Sequence, residues 1–276
     1  DQVFLYTAGT PCPDWSTAGN KQGASGSKGG RLWLANVGFV CEHRFPVVVL
    51  EQVPGILDVE NGRYLHEAIA RLREADYVAD FRIRQCNRWG DATSRTRIFV
   101  VATQRCLLSE DFDVSDLFGE RPEGPGTPQK VIDVTDVDYD DSLVYDGPVN
   151  WLTRRPEDPG YDGPIKLGQV ANGGIGHSVY SAEGPAVTQK TWGEGPGAST
   201  GLYKFPGGII RRLSPFEAMR AHSFPQPLIS TIQSMECSEE ECYRLIGNSI
   251  PVLTLQSVIS HVLSVVDTAQ IPTVST

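Results

Sequence analysis

A cysteine lies between two prolines near the start of the chain, in the stretch "TPCPDWS" at residues 10–16. Proline fixes its own φ and cannot continue a helix or a central strand, so the backbone around Cys12 is stiff and turns. A thiol that serves only in packing is expected inside a helix or strand. The placement therefore predicts that Cys12 is presented as a nucleophile. A buried, unreactive thiol is the alternative.

A carboxylate and two guanidinium groups lie beside strand-like runs farther along the chain. Glu51 follows the apolar run "FPVVVL", and open α/β sheets place their ligand sites at the C-terminal ends of strands. Arg95 and Arg97 lead into the run "IFVVA", and the period of two along a strand predicts that they share one side. With Cys12, these groups would suit attack on an electron-poor, polar ring, because a carboxyl group can hydrogen-bond a ring nitrogen. A core thiol beside a surface ion pair is the alternative.

The segments that carry these residues alternate between strand and helix patterns, which predicts an α/β layered sheet. The run at 45–53 is rich in valine and is typical of a parallel-sheet strand covered on both faces. In the helix-like run at 61–75, three apolar side chains share one face. The strand-like runs are at residues 2–9, 45–53, 77–85 and 97–102, and the helix-like runs are at 31–43 and 61–75.

From about residue 107 to 205 the composition changes to Gly, Pro and Asp, with short strand-like runs and no clear helix. Long irregular segments in compact proteins are more often functional than idle. Helical signals return after this region. Ser214 with Glu217 and Ser238 with Glu241 have the spacing of capping boxes. The pattern predicts that an α/β body resumes after an insertion.

Charge is distributed unevenly along the chain. The formal net charge of -10 argues against general affinity for nucleic acid, which depends on Lys and Arg. Residues 107–163 contain 15 acidic and four basic residues, whereas residues 82–105 contain six arginines and one acid. The arginine-rich segment is compatible with a phosphate-facing surface or with a solvated charged face. The acidic segment would either face solvent away from DNA or mimic DNA in an autoinhibitory contact, and its charge favours the first.

Composition excludes several classes of protein. The 276 residues, of which 40% are apolar, can form a sizeable core. No apolar run is long enough to span a membrane, and no signal-peptide pattern opens the chain. We therefore expect an intracellular protein that does not associate with membranes. The six cysteines lack the spacing of metal ligands, so neither a metal site nor a disulfide framework is expected.

Five stretches resemble, in the same order, the motifs of the cytosine-5 DNA methyltransferases, and the resemblance runs from residue 1 to about 265. "TPCPDWS" is similar to the family's Pro-Cys-Gln-x-x-Ser loop, "LEQVPG" to its Glu-Asn-Val strand and "TSRTRIFVVA" to its Gln-x-Arg-x-Arg strand. "RRLSPFEAMRAHSFP" and "RLIGNSIPV" resemble two further motifs near the C-terminus. Five motifs in the family's order are far more specific than any one of them.

The resemblance implies a fold and a domain organisation. The implied fold is α/β: the C-terminal part of a Rossmann-like S-adenosylmethionine-dependent methyltransferase sheet, with an inserted irregular target-recognition region. The expected parts are a catalytic α/β domain at 1–106 that lacks its first strands, the target-recognition region at 107–205, and C-terminal helices at 206–276 that return to the catalytic domain.

The resemblance also implies a reaction. Cys12 would attack carbon 6 of a cytosine and so make carbon 5 nucleophilic toward the methyl group of S-adenosylmethionine. Glu51 would contact ring N3 and the exocyclic amine, Arg97 would reach the ring O2, and Arg95 would brace the loop or a phosphate. The target base would be flipped out of double-stranded DNA, the expected partner. The expected substrate contacts are Ser16, Val53 and Thr188, and the expected cofactor contacts are Pro11, Asn248 and Ser249.

The chain departs from the family pattern in two ways. Pro13, Gln52 and Thr93 stand where the family has Gln, Asn and Gln, which bears on geometry more than on chemical identity. The family's Phe-x-Gly-x-Gly cofactor loop normally precedes the cysteine loop, and no such motif precedes Cys12 in this sequence. We expect a truncated chain, or one completed by a second chain or an N-terminal segment that carries the cofactor loop.

Two other functions stay open on the sequence. One is a non-catalytic DNA-binding or regulatory remnant of the same fold, against which the joint presence of Cys12, Glu51, Arg95 and Arg97 argues. The other is an RNA cytosine-5 methyltransferase. The size of the region at 107–205 favours the reading of a DNA duplex.

Overall fold

A computed structural model describes residues 4–10, 15, 29–120, 129–153 and 161–267. The chain divides into two compact units, which are described separately. Unit 1 comprises Asp1–Arg84, Thr96–Glu120 and Gln256–Thr276, and unit 2 comprises Gln85–Arg95 and Arg121–Leu255. The domain boundaries expected at residues 106 and 205 stay predictions.

Six α-helices and eleven strands are found among the described residues. The helices are α1 (Gly29–His43), α2 (Arg63–Glu74), α3 (Pro215–Ala221), α4 (Gln226–Ser234), α5 (Glu239–Asn248) and α6 (Val252–Val265). The strands are β1 (Leu5–Gly9), β2 (Val47–Gln52), β3 (Tyr77–Gln85), β4 (Thr93–Ser94), β5 (Thr96–Gln104), β6 (Asn150–Trp151), β7 (Lys166–Gln169), β8 (Ser178–Ser181), β9 (Ala186–Val187), β10 (Leu202–Lys204) and β11 (Ile210–Arg212).

The first sheet has the strand order β1-β2-β5-β3. All six residues of β2 are buried, as predicted for a strand covered on both faces. The sheet is mixed and not parallel: β2 runs parallel to β1 and antiparallel to β5. An apolar run indicates that both faces of a strand are covered, but it contains no information on the direction of the neighbouring strand. Glu51 lies at the end of β2, opposite Gly9 on one side and Phe99 on the other.

Helices α1 and α2 bury their apolar faces in the core of unit 1. Leu65, Ile69 and Leu72 of α2 are buried, which confirms the face predicted from the sequence. They belong to one apolar cluster with Trp33 of α1 and Leu50 of β2. Burying one such side chain contributes about 1.5–3 kcal/mol. This cluster fixes β2, and with it Glu51, relative to the two helices.

Unit 2 contains a five-stranded sheet of order β11-β10-β8-β7-β6 and a two-stranded sheet of β4 and β9. Between residues 107 and 205, the described residues form short strands and single 3-10 turns without an α-helix, as expected. Both predicted capping boxes are present. The Ser214 hydroxyl accepts from the Glu217 N–H at the start of α3, and Ser238 and Glu241 make the same exchange at α5.

One stretch, Glu239–Val265, has the length and mean hydropathy of a membrane span, which is weak evidence for one. The structure breaks this stretch at residues 249–251 into α5 and α6. The N-terminus of α6 is held by the buried carboxylate of Asp91, which accepts from the N–H groups of Leu253 and Thr254 and from the Thr254 hydroxyl. This carboxylate satisfies amides that a helix cannot satisfy by itself.

Candidate functional site

Glu51 and Arg97 form a buried ion pair in unit 1. Arg97 Nε lies 2.6 Å from Glu51 Oε1, and each residue is 8% exposed. The register of β2 and β5 explains the contact, since Glu51 faces Phe99 and Arg97 is two residues from Phe99 on the same strand. Arg97 Nη1 also donates to the carbonyl of Thr96 at 2.7 Å. The structure thus brings together two of the four side chains for which the sequence predicted chemistry.

Gln52 connects the end of β2 to the residue that precedes the proline-cysteine stretch. Its Nε2 donates to Thr10 Oγ1 at 2.8 Å, and its Oε1 accepts from the Val53 N–H at 2.8 Å. Gln52 is fully buried. The family has the shorter Asn at this position, whereas the longer side chain of Gln52 reaches from β2 to Thr10. Val53 itself is half-buried with an extended backbone, directly before the turn at Pro54–Leu57.

Three predicted site residues, Pro11, Cys12 and Ser16, lie outside the described residues. The flanking Trp15 is described. It is fully buried, and its ring centroid lies 5.4 Å from that of Tyr64 on α2. Residues 10 and 15, which bracket the nucleophile candidate, are therefore both fixed to unit 1.

Arg95 contacts other groups than Arg97 does. Its Nη1 donates to the carbonyl of Gln189 at 3.2 Å and its Nη2 to the carbonyl of Gly247 at 2.6 Å, all within unit 2. The sequence predicted one continuous strand with both arginines on one side. In the structure β4 ends before Arg95 and β5 begins after it, so the period of two is interrupted at this residue.

Thr188, Asn248 and Ser249 lie in unit 2. Thr188 Oγ1 donates to the carbonyl of Ser94 at 3.0 Å, which attaches the threonine to β4. Asn248 is the last residue of α5, and Ser249 follows it as the C-cap, with its hydroxyl donating to the carbonyl of Ile246 at 2.8 Å. Asn248 is exposed, and Ser249 is half-buried.

Gly247, which precedes Asn248, permits a close approach between α5 and the segment after β9. A Cβ at this position would lie 2.4 Å from the backbone nitrogen of Thr191. No side chain fits at that distance, so a glycine is required for the packing that places Asn248 and Ser249.

A buried ion pair also holds the start of α3. Arg211 donates from two nitrogens to the carboxylate of Glu217 at 2.8 Å each, and the backbone N–H groups of Ser214 and Asp136 donate to the same carboxylate. Burial raises the pKa of Glu217, but these hydrogen bonds outweigh burial and hold the pKa below its usual range. The pair fixes α3 and the residues that follow it.

His222 and Gln189 were not predicted from the sequence. His222 follows α3 within the stretch "RAHSFP", and its ring contacts Gln189 and Ser249 inside unit 2. A polar residue beside an apolar helix face was the one available signal. Among the described residues, no group of three or more His, Cys, Asp or Glu side chains could hold a metal ion.

Comparison with known proteins identifies the family. The family model for C-5 cytosine-specific DNA methylase matches residues 2–264. Type II methyltransferase M.HhaI of Haemophilus parahaemolyticus is 27% identical over 252 residues, which are 91% of this chain and 73% of that protein. Type II methyltransferase M.DsaV of Dactylococcopsis salina is 24% identical over 266 residues, 95% of this chain and 69% of that protein.

Solved structures share the fold. The S. pombe Dnmt2 methyltransferase has a TM-score of 0.64 at 15% identity, and 95% of this chain and 77% of that chain are covered. The Entamoeba histolytica methyltransferase EhMeth has a TM-score of 0.64 at 13% identity, with the same coverage. The fold is that of an α/β S-adenosylmethionine-dependent methyltransferase, as the motifs predicted. With its motifs in the family's order and a family match over residues 2–264, the chain belongs to the C-5 cytosine-specific DNA methylase family.

Proposed function

We propose that this protein transfers a methyl group from S-adenosylmethionine to carbon 5 of cytosine in DNA. The observation that carries the proposal is the Glu51–Arg97 pair, with 2.6 Å between Arg97 Nε and Glu51 Oε1. A carboxylate and a guanidinium held side by side match two neighbouring edges of a cytosine ring. The ring offers an amine and N3 on one edge and the oxygen O2 on the next.

Cys12 is the proposed nucleophile. Its sulfur bonds carbon 6 of the ring, and the electron pair of the carbon 5–carbon 6 double bond becomes available at carbon 5. The described neighbours of this stretch are held in place, Thr10 by Gln52 and Trp15 by Tyr64. Fixing both ends of the stretch reduces the entropic cost of aligning the thiolate with the base.

Glu51 and Arg97 stabilise the charge that develops on the ring. Glu51 accepts from the exocyclic amine and contacts N3, while Arg97 donates to O2. A guanidinium has five N–H donors in a fixed fork, so Arg97 can bind Glu51 and the Thr96 carbonyl and still donate to a ring oxygen. Donors placed in advance, in a site with little water, stabilise such charge most effectively.

S-adenosylmethionine, when bound, supplies the electrophilic methyl group. We assign its contacts to Pro11, Asn248 and Ser249. The exposed amide of Asn248 and the half-buried hydroxyl of Ser249 are neutral polar groups, which suit the hydroxyl, ammonium and carboxylate groups of this molecule. After transfer the proton on carbon 5 leaves to solvent and the Cys12 thiolate is expelled, which restores the ring double bond.

We favour DNA over RNA as the substrate because the family description names DNA and because two relatives are named Type II methyltransferases. Lys166, Lys204 and the half-exposed Trp151 line an open pocket in unit 2, and the Lys204 ammonium lies 4.9 Å from the centre of the Trp151 ring. Ammonium groups and an exposed indole are typical of nucleic-acid contacts. Ser16, Val53, Thr188 and Arg95 would hold the flipped nucleotide and its surroundings. The proposal places the protein inside the cell, with its DNA.

The test is incorporation of labelled methyl groups from S-adenosylmethionine into unmethylated DNA, with RNA in a parallel reaction. We expect incorporation into DNA alone and none with Cys12→Ser, because a hydroxyl is a far weaker nucleophile at neutral pH. A duplex with 5-fluorocytosine should form a covalent adduct with the wild type, since fluorine cannot leave carbon 5 as a proton does. An adduct of equal yield with Cys12→Ser would remove Cys12 from this role. Incorporation into RNA alone would reassign the substrate.

A further inference from the structure

A fully buried histidine in unit 2 has no part in the chemistry proposed above. His222 directly follows α3 and is 0% exposed. Its Nε2 lies 2.6 Å from Oε1 of Gln189, and its Nδ1 lies 3.0 Å from Oγ of Ser249. The Thr93 hydroxyl donates to the same Gln189 oxygen at 2.8 Å. These four residues, Thr93, Gln189, His222 and Ser249, are called the His222 relay below.

The relay is built from polar groups that are removed from water. Thr93, Gln189 and His222 are each at most 1% exposed. Polar groups at such depth cost free energy unless they are hydrogen-bonded, and an apolar side chain would fill the same volume without that cost. Buried networks of this kind can fix one arrangement of the surrounding segments. A role in positioning therefore accounts for the relay better than a role in packing.

One end of the relay holds the segment that carries Thr188. Gln189 is held at its side chain and at its backbone. Its side-chain oxygen contacts His222, and its backbone carbonyl accepts from Arg95 at 3.2 Å. Thr188, the preceding residue, donates to the carbonyl of Ser94 at 3.0 Å. Loss of the contact between His222 and Gln189 would remove one of the side-chain contacts that hold this segment.

The other end of the relay holds the C-terminus of α5. The Ser249 hydroxyl donates to the carbonyl of Ile246 at 2.8 Å and lies 3.0 Å from His222 Nδ1. The hydroxyl is thus fixed between a helix carbonyl and the imidazole. Asn248 directly precedes Ser249, so both residues belong to the segment that this contact holds.

We propose that His222 is a positioning residue whose two ring nitrogens hold two binding segments separately: Nε2 holds the nucleotide-binding segment at Thr188, and Nδ1 holds the cofactor-binding segment at Ser249. This inference rests on the proposed function, which assigns those segments to the nucleotide and to the cofactor. The two contacts are made by different atoms of one ring, so they can be removed one at a time.

Two isosteric substitutions separate the contacts. The amide of asparagine ends at the distance of Nδ1 from the backbone, so His222→Asn keeps a polar group near Ser249 and loses the contact with Gln189. The amide of glutamine reaches the distance of Nε2, so His222→Gln keeps the contact with Gln189 and loses the one with Ser249. Methyl-transfer kinetics are measured on the whole protein with unmethylated DNA of mixed sequence, varying DNA and S-adenosylmethionine in turn.

We expect His222→Gln to raise the KM for S-adenosylmethionine about tenfold and the KM for DNA less than about twofold, with kcat nearly unchanged. His222→Asn should show the opposite split. Gln189→Met should reproduce the effect of His222→Asn and should not add to it in the double variant, because both remove the contact between His222 and Gln189. Gln189→Met also keeps the test decisive if a His222 variant does not fold.

Tyr243→Phe is the matched control. It removes a buried hydrogen bond of unit 2, from the Tyr243 hydroxyl to the carbonyl of Leu213 at 2.6 Å, that lies outside the relay. It should lower stability without splitting the two KM values. An active wild type whose His222→Asn and His222→Gln variants change both KM values equally would overturn the relay alone, as would a split produced by Tyr243→Phe. A wild type that neither transfers methyl groups nor binds DNA and S-adenosylmethionine would overturn the proposed function and the relay together.

Discussion

Replacing Glu51 by Gln tests how the buried pair of unit 1 is held together. The substitution keeps the shape of the side chain but leaves the Arg97 guanidinium in a nearly dry site without its counter-charge. Removing one partner of a buried ion pair costs about 3–5 kcal/mol. Glutamine keeps an oxygen that can accept from Arg97, and the two side chains retain 9% and 11% exposure. We therefore expect a loss of about 2–3 kcal/mol in the free energy of unfolding.

A double-mutant cycle separates the pair from the two single sites. Arg97→Met replaces the guanidinium by an apolar chain of similar length and should also destabilise the protein, because it leaves Glu51 buried. In Glu51→Gln/Arg97→Met neither charge remains, so stability should recover by about 2 kcal/mol relative to the sum of the single losses. Urea unfolding measures the total change. Hydrogen exchange of the β2 and β5 amides measures the change within unit 1.

The matched control is an exposed pair of the same protein. Lys130 Nζ lies 2.9 Å from Glu183, and their side chains are 40% and 52% exposed. Glu183→Gln should leave the free energy of unfolding nearly unchanged, because solvent screens such a pair. A coupling energy for Glu51 and Arg97 as small as that of the control would refute the reasoning that burial makes this pair strong.

Three further predictions concern packing, pH and DNA binding. Gly247→Ala should destabilise unit 2 by more than about 2 kcal/mol in urea unfolding, because its Cβ would lie 2.4 Å from a backbone nitrogen. Gly38→Ala in α1, whose Cβ would have nothing within 4 Å, should instead stabilise the protein by about 0.5–1 kcal/mol in the same assay. Burial raises the pKa of Glu217, but the hydrogen bonds from Arg211 and the backbone hold that pKa below its ordinary 4.5. The pair therefore stabilises the protein fully above about pH 5, and this stabilisation is lost as pH falls through the lowered pKa. Glu217→Gln should flatten the dependence of the free energy of unfolding on pH below about pH 5. Lys204→Ala should weaken DNA binding and reduce the slope of log affinity against log salt by about 0.9, and an unchanged slope would show that this ammonium contacts no phosphate.

Several elements could be predicted because their signals are local. The three buried side chains of α2 repeat at helical spacing, and both capping boxes need only a serine and a glutamate three residues apart. The valine run of β2 predicted a strand buried on both faces, and the structure has it. The order of the motifs predicted the family.

Other features depended on contacts that a local pattern does not contain. Two such features are the direction of β5 beside β2 and the break between β4 and β5 at Arg95. Both depend on how segments that are distant in sequence pack against each other. The sequence therefore predicted a parallel sheet and one side for both arginines, and the structure shows a mixed sheet and different contacts for Arg95 and Arg97.

Local patterns identify the groups that are available: a cysteine between prolines, Glu51 at the end of an apolar strand, and two arginines separated by one residue. Long-range contacts in the folded chain set which of these groups meet. Gln52 reaches Thr10 over 42 residues, His222 reaches Gln189 over 33, and Asp91 holds Thr254 over 163. Helical and strand periods are set by backbone geometry within a few residues. Contacts over tens of residues form only when burial of the whole apolar surface brings distant segments together, and the sequence gives no local sign of them.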